Sequence, residues 1–294
     1  MVMPRLATPS PSRREFLAAS AALLATPALA AGDDSVSIGL FADSHYADRQ
    51  PRGSRHYRDS AAKLAAFVRA MNEAKPDFAI VVGDYTDERG GAPEKVADLK
   101  HIEAVFRQFN GPRHHVIGNH DLDVFTKEQF LAGTGMPAPH YAFDCGPLRC
   151  IVLDANYRKD GTPYAAGNFN WTQTYIPPAE QRWLAAELAG TKRKAVVFVH
   201  QCLDDEGGAH GVKNAPEVRR VLEASGKVIA VFQGHNHRGA YRAIRGIHYL
   251  TLRAMVEGAG LANNAFSLAT VSLSGALRLR GYGKQPSRKP KGDG

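Results

Sequence analysis

The sequence predicts an α/β fold, one domain built on two β-sheets with helices packed on the outside. Three observations carry that expectation. Five apolar runs of strand length each stop at an Asp, Asn or His: Val36–Ala42 before Asp43, Phe78–Val82 before Gly83-Asp84, His115–Ile117 before Gly118-Asn119, Ala195–Val199 before His200, and Val228–Gln233 before Gly234-His235. Their β-branched content is that of buried strands. Helical periodicity fills the gaps between the first three runs, and the C-terminal part reads as consecutive short strands. In open α/β sheets ligands bind beyond the carboxyl ends of the strands, so five polar strand ends at one sheet edge point to a shared site.

Taken in order, residues 1–30 read as an export signal. Ser12-Arg13-Arg14-Glu15-Phe16-Leu17 precedes the small-residue apolar run Ala18–Ala25, and Ala28-Leu29-Ala30 supplies a small-x-small cleavage site. The paired arginines resemble a twin-arginine signal, which exports folded proteins, so a periplasmic or secreted location is expected. The run is too short for a membrane span, which takes ~20 strongly apolar residues.

After the first strand, Tyr57–Ala74 places Leu64, Phe67, Val68 and Met71 at helical spacing, and Pro93–Phe109 does the same with Leu99, Ile102, Phe106 and Phe109. Strand, crossover helix, strand, twice over, favours parallel neighbours with right-handed crossovers. Tyr141–Asp144 and Arg149–Asp154 flank Gly146-Pro147 as a hairpin. Residues Ala155–Ile176 lack helical period, and a loop of that length in a compact domain is usually functional. Its aromatics Tyr157, Tyr164, Phe169, Trp171 and Tyr175 argue against disorder. A helix opens at Pro177-Pro178, and another over Ala215–Ala224 has Asn214 as its cap and Gly226 as its exit. Strands follow at Tyr241–Arg245, Ile247–Leu252, Phe266–Leu273 and Ala276–Tyr282. The domain therefore spans 31–283, and the basic segment 284–294 is expected to be a disordered tail.

With 44% apolar and 22% charged residues among 294, the chain is neither disordered nor collagen-like, and it can bury a substantial core. Of 37 basic and 29 acidic residues, three and one lie in the first 30, which leaves 34 and 28, a net +6. The basic residues look scattered apart from the tail, whereas a nuclease calls for a continuous basic groove; no specific nucleic-acid partner is expected. Cys145 and Cys150 could face one another across the hairpin turn, and free thiols are the alternative. Cys202, two residues after His200, reads as core or as a residue behind the ligands rather than as a ligand.

Asp43, His45, Asp84, Asn119, His200, His235 and His237 offer seven N and O donors and no thiolate. That set suits two hard or borderline first-row cations, divalent or mixed-valence Mn, Fe or Zn, better than a structural zinc. Two ions need a bridge, and Asp84 is the candidate.

The order D-x-H, G-D-x-x-D, G-N-H-D, H, G-H-x-H from Asp43 to His237 resembles the calcineurin-like metallophosphoesterase superfamily. The resemblance implies the metallo-dependent phosphatase fold, a four-layer αββα sandwich of two mixed β-sheets flanked by helices. It assigns Asp43, His45 and His237 to a first metal, Asn119, His200 and His235 to a second, and Asp84 to both. His120 becomes the residue near the leaving group and Asp87 the carboxylate that orients it. The implied reaction is in-line attack on phosphorus by hydroxide that two cations ~3.5–4 Å apart generate from a shared water.

Gly234-His235-Asn236-His237-Arg238-Gly239-Ala240-Tyr241, then Gly246–Leu252, Glu257, Asn264-Ala265-Phe266 and Leu279-Arg280-Gly281, is similar to the manganese-dependent ADP-ribose/CDP-alcohol diphosphatase branch, closest in this C-terminal third. Phe41–Asp48 is similar to that branch's opening segment, where His45 replaces a glutamine. The expected function is a secreted phosphohydrolase of small phosphodiesters or diphosphates. The alternatives are a broad phosphomonoesterase and, in a different class, a metal-binding module without turnover; the presence of His120 and Asp87 opposes the last. Tyr46, Tyr85, Asp121, Asp123, Asn156, Arg158, Trp171 and Arg238 are the candidate contacts to a small phosphorylated substrate.

Overall fold

Two sheets face one another with helices on their outer sides in the computed structural model, which describes residues 34–290. Residues 1–33 and 291–294, including the predicted export signal, lie outside the described residues. The first sheet holds β1 (Ser35–Phe41), β2 (Phe78–Val82), β3 (Arg113–Val116), β10 (Ala265–Ser272) and β11 (Leu277–Gly283), in the order β11-β10-β1-β2-β3. The second holds β4 (Tyr141–Cys145), β5 (Leu148–Val152), β6 (Lys194–Phe198), β7 (Val228–Gln233), β8 (Arg238–Ile244) and β9 (Ile247–Arg253), in the order β4-β5-β6-β7-β9-β8. Both sheets are mixed. β1, β2 and β3 run parallel through two crossover helices, α1 (Asp59–Ala74) and α2 (Ala92–Phe106), as the repeated strand-helix-strand pattern predicts. The remaining helices are α3 (Lys127–Thr134), α4 (Pro178–Gly190) and α5 (Ala215–Ser225). The fold is the expected αββα sandwich.

The alternation of strand side chains builds the layers. Val196 and Phe198 of β6 point between the sheets, where they join Ile38, Leu40, Phe78 and Ile80 of the first sheet in one buried cluster. Val197 and Val199 point the other way and meet Leu184 and Leu188 of α4 and Val218 and Leu222 of α5. Phe41 packs against Phe67 of α1 and Phe106 of α2, with ring centroids 4.8 and 5.3 Å away.

One helix is added to the elements read from the sequence, and three local expectations are revised. Residues 127–134 form a helix that apolar periodicity does not reveal, because it is only eight residues long. Its signals are a capping box between Thr126 and Gln129 and a left-handed exit at Gly135. Asn214 precedes α5 without a capping bond and instead exchanges two hydrogen bonds with the backbone of Ile176, which ties the end of the long loop to that helix. In the hairpin, Cys145 opposes Leu148 and Cys150 opposes Phe143, and all three cysteines are free thiols.

The third revision concerns the tail. Its residues 284–290 are not disordered: Leu279 and Arg288 exchange backbone hydrogen bonds of 2.8 Å, the buried Gln285 accepts one from the Arg253 amide, and the Arg288 guanidinium lies 5.3 Å from the Tyr241 ring centre. A basic composition implied a solvated end, but backbone pairing with β11 supplies the order. Among the described residues no helix is long and apolar enough to cross a membrane.

Candidate metal centre

The five polar strand ends converge at one edge where the two sheets meet. Close approach explains the glycines that precede the polar residues. A Cβ on Gly118 would lie 2.0 Å from the Asp84 backbone nitrogen, and one on Gly83, at φ +80°, would lie 2.3 Å from the His200 ring. Gly118 thus lets two strand ends meet backbone to backbone, and Gly83 makes room for the His200 ring. The chain then turns sharply off them: Asp43, His45, Asp84 and His235 all adopt positive φ, between 43° and 65°. Such backbone is rare for residues with a side chain and clusters at functional sites.

Asp43, His45 and His237 bring ligand atoms together in one group, and Asp84, His200 and His235 in a second, each spanning at most 4.8 Å. Asp84 stands between them, with one carboxylate oxygen 3.1 Å from His200 Nε2 and 3.5 Å from His45 Nε2. Its other oxygen accepts the His120 amide at 2.8 Å. His237 Nε2 lies 3.2 Å from His45 Nε2 and 3.6 Å from Asp43. Six of the seven predicted donors are therefore together, and the seventh, Asn119, is held between Gly118 and His120, both of which meet Asp84.

A test of fit comes from polar atoms left without partners. Both side-chain polar atoms of Asn119 and the Nε2 atoms of His200 and His235 are buried and make no hydrogen bond; the 3.1 Å approach of His200 to Asp84 lacks hydrogen-bond geometry. Most buried polar groups in proteins are paired, and four of the twelve such unpaired atoms among the described residues fall on these three residues. The His200 Nδ1 atom is occupied by the Val82 carbonyl at 2.9 Å, which leaves Nε2 for the site. These are the three residues assigned to the second metal, and the donor set fits a first-row cation.

Electrostatics agree with that fit. Burial dominates at His45, whose pKa falls to about 3, and at His235, also lowered, so both rings are neutral, the form that can take a cation. At Asp84 burial alone would raise the carboxyl, but His200, His45 and His120 outweigh it and hold it well below the carboxylate range. At His200 burial is outweighed by Asp84 and Asp43, and the pKa rises to about 9. The anionic centre thus draws a proton onto His200, as it would draw a cation.

Asp87 lies between two histidines. It meets His45 Nδ1 at 3.0 Å and His120 Nδ1 at 3.6 Å, and Arg55 approaches the same carboxylate at 3.3 Å. Burial would raise this acid, yet the nearby His120 ring and the His45 hydrogen bond prevail and lower it. The sequence reading linked Asp87 to His120 alone. At His120 burial is likewise outweighed, by Asp84 and then Asp87, and its pKa is raised. A fixed carboxylate thus favours the imidazolium next to the candidate centre.

The centre forms the floor of a cavity of about 940 Å³ that Asp84, His120, His235 and His237 line. Arg52, Arg55 and Arg238 are part of its wall, with Phe169, Trp171 and His210. Of the eight candidate substrate contacts only Trp171 and Arg238 line it. Tyr46 stacks on His101, Tyr85 is buried beside Glu103, and Asp121 accepts the amides of Tyr85, Thr86 and Gly118. Asp123 pairs with the buried Lys95, Asn156 holds the Ile117 carbonyl, and Arg158 is exposed outside the cavity. Arg52, Arg55, Phe169 and His210 line the cavity without having been among the candidates. They carry no spacing motif; the only signal was the aromatic density of the loop that holds Phe169 and Trp171.

Comparison with known proteins bears on these residues. Residues 36–239 match the family model described as Calcineurin-like phosphoesterase. An Arabidopsis thaliana protein named manganese-dependent ADP-ribose/CDP-alcohol diphosphatase is 25% identical over 268 residues, covering 75% of this chain and 86% of that relative. A Bos taurus protein of the same name is 24% identical over 317 residues, covering 86% and 93%. Likeness to that branch thus extends over most of the chain rather than its C-terminal third. A crystal structure of a dimetal phosphatase from Danio rerio superposes with a TM-score of 0.75 at 20% identity, over 87% of this chain and 99% of its own. At that identity the likeness is one of fold.

Proposed function

The chain belongs to the calcineurin-like phosphoesterase family, and from that premise we propose that it is a dinuclear-metal phosphohydrolase of small diphosphates or phosphodiesters that carry an aromatic group. The cavity carries this reading. It joins the seven-donor centre to three arginines and to Trp171, 43% exposed at the rim. Arginine forks bind phosphate oxygens bidentately, and an exposed indole offers a face for stacking. A monoester of a small alcohol would use neither the full arginine set nor the aromatic wall. The diphosphatase names of the relatives support the same substrate class.

In this reading Asp43, His45 and His237 would hold the first ion and Asn119, His200 and His235 the second, with Asp84 placed to serve both. When bound, the two ions supply hydroxide near neutral pH and neutralise charge on the phosphoryl oxygens. The arginines orient the phosphate chain. His120, kept protonated by Asp84 and Asp87, gives its proton to the departing oxygen.

A substrate panel with manganese-loaded protein tests this: ADP-ribose, CDP-choline, bis-nitrophenyl phosphate, nitrophenyl phosphate and a cyclic nucleotide. The expected order of kcat/KM places the two nucleoside diphosphate compounds first. Preference for nitrophenyl phosphate over both would move the assignment to a broad phosphomonoesterase, and no turnover of any of them would support a binding module.

A further inference from the structure

Glu257 is outside the seven-donor set, yet its carboxylate lies 2.6 Å from Nδ1 of His237. The Nε2 atom of the same ring points into the centre, 3.6 Å from Asp43 and 3.2 Å from His45. We infer that Glu257 is a positioning residue: it accepts the Nδ1 proton of His237, fixes the ring's tautomer and orientation, and thereby sets the affinity of the first metal. The inference rests on the two-metal reading. Its physical basis is that a ligating imidazole is held by the hydrogen bond its other nitrogen makes, and that a carboxylate in that role also raises ligand basicity.

The backbone around Glu257 is built to hold it. Lys63 of α1 is fully buried, makes no ion pair among the described residues, and donates to three carbonyls of one turn: Met255 at 2.8 Å, Glu257 at 3.1 Å and Gly258 at 2.7 Å. An ammonium has three donors, and all three are used. The turn is also tied to the end of β1, since the Met255 and Val256 amides donate to the carbonyls of Ala42 and Asp43, each at 3.0 Å. Glu257 is therefore referenced to the chain segment that carries Asp43, a ligand of the same ion. A flexible surface glutamate has no such support.

The test is manganese binding to metal-free protein, followed by calorimetry, for wild type, Glu257→Ala and Glu257→Gln, with thermal unfolding of each metal-free form. Glu257→Ala is expected to weaken one of the two ions by ~10–100-fold, with the other ion and the metal-free melting temperature unchanged. Glu257→Gln keeps an acceptor for Nδ1 and should lose less. Wild-type affinity for both ions in Glu257→Ala would overturn the inference while leaving the two-metal reading intact. Equal weakening at both sites with a lowered melting temperature would make Glu257 a structural residue and also overturn it. Wild-type protein that binds no manganese would remove the two-metal reading and the inference together.

Discussion

Replacement of Asp84 by Asn is expected to cause the largest loss of any single ligand change. The carboxylate has one oxygen facing both His200 and His45, so it alone serves both halves of the centre. The amide removes the negative charge that three histidines hold in place and leaves a weaker donor where two cations are to meet. One or both ions should be lost, with turnover reduced beyond the ~10–100-fold that follows removal of an outer partner of a ligand. The Asp84→Asn protein is checked by elemental analysis and by steady-state kinetics. Retention of both ions with near-normal turnover would refute the shared position of Asp84.

Replacement of His120 separates chemistry from binding, because its neighbour Asn119 carries unpaired buried atoms while His120 lines the cavity beside Asp87. His120→Ala or His120→Asn should keep metal content intact and lower turnover by ~100-fold or more, the scale of a lost general acid. The loss should shrink for nitrophenyl substrates, whose leaving group departs without a proton, and remain large for an alcohol or nucleoside phosphate. An equal loss on both substrate types would assign His120 to binding or charge stabilisation instead. A loss of metal would return it to the ligand set, for which its closeness to His45 and Asp84 gives the geometry.

The site was more legible in the sequence than the cavity around it, and the reason is physical. Each predicted ligand follows a buried strand, and both the strand's β-branched run and the polar residue at its end are local signals. The glycines are local too, although what they accommodate, such as the 2.0 Å approach of a Gly118 Cβ to Asp84, is visible only once the strands are packed. Substrate contacts are not local in this sense. Tyr85 and Asp121 sit inside site motifs yet face inward, where Asp121 ties three backbone amides, while Arg52 and Arg55 come from an unremarkable turn. Buried lysines were the least legible feature of all. Lys63 and Lys95 occupy helix positions that composition marks as solvent-facing, yet Lys63 donates to three backbone carbonyls and Lys95 to the His120 carbonyl and the Asp123 carboxylate. The tail shows the same limit, since backbone pairing with Leu279 leaves no trace in its charge.

The central claim is a pair of ions joined through Asp84. Electron paramagnetic resonance of protein reconstituted with manganese, recorded as metal is titrated alongside activity, tests it most directly. The account predicts about two ions per chain, a spin-coupled spectrum, and activity that follows the second equivalent. Full activity with one ion per chain and the spectrum of isolated manganese would contradict it.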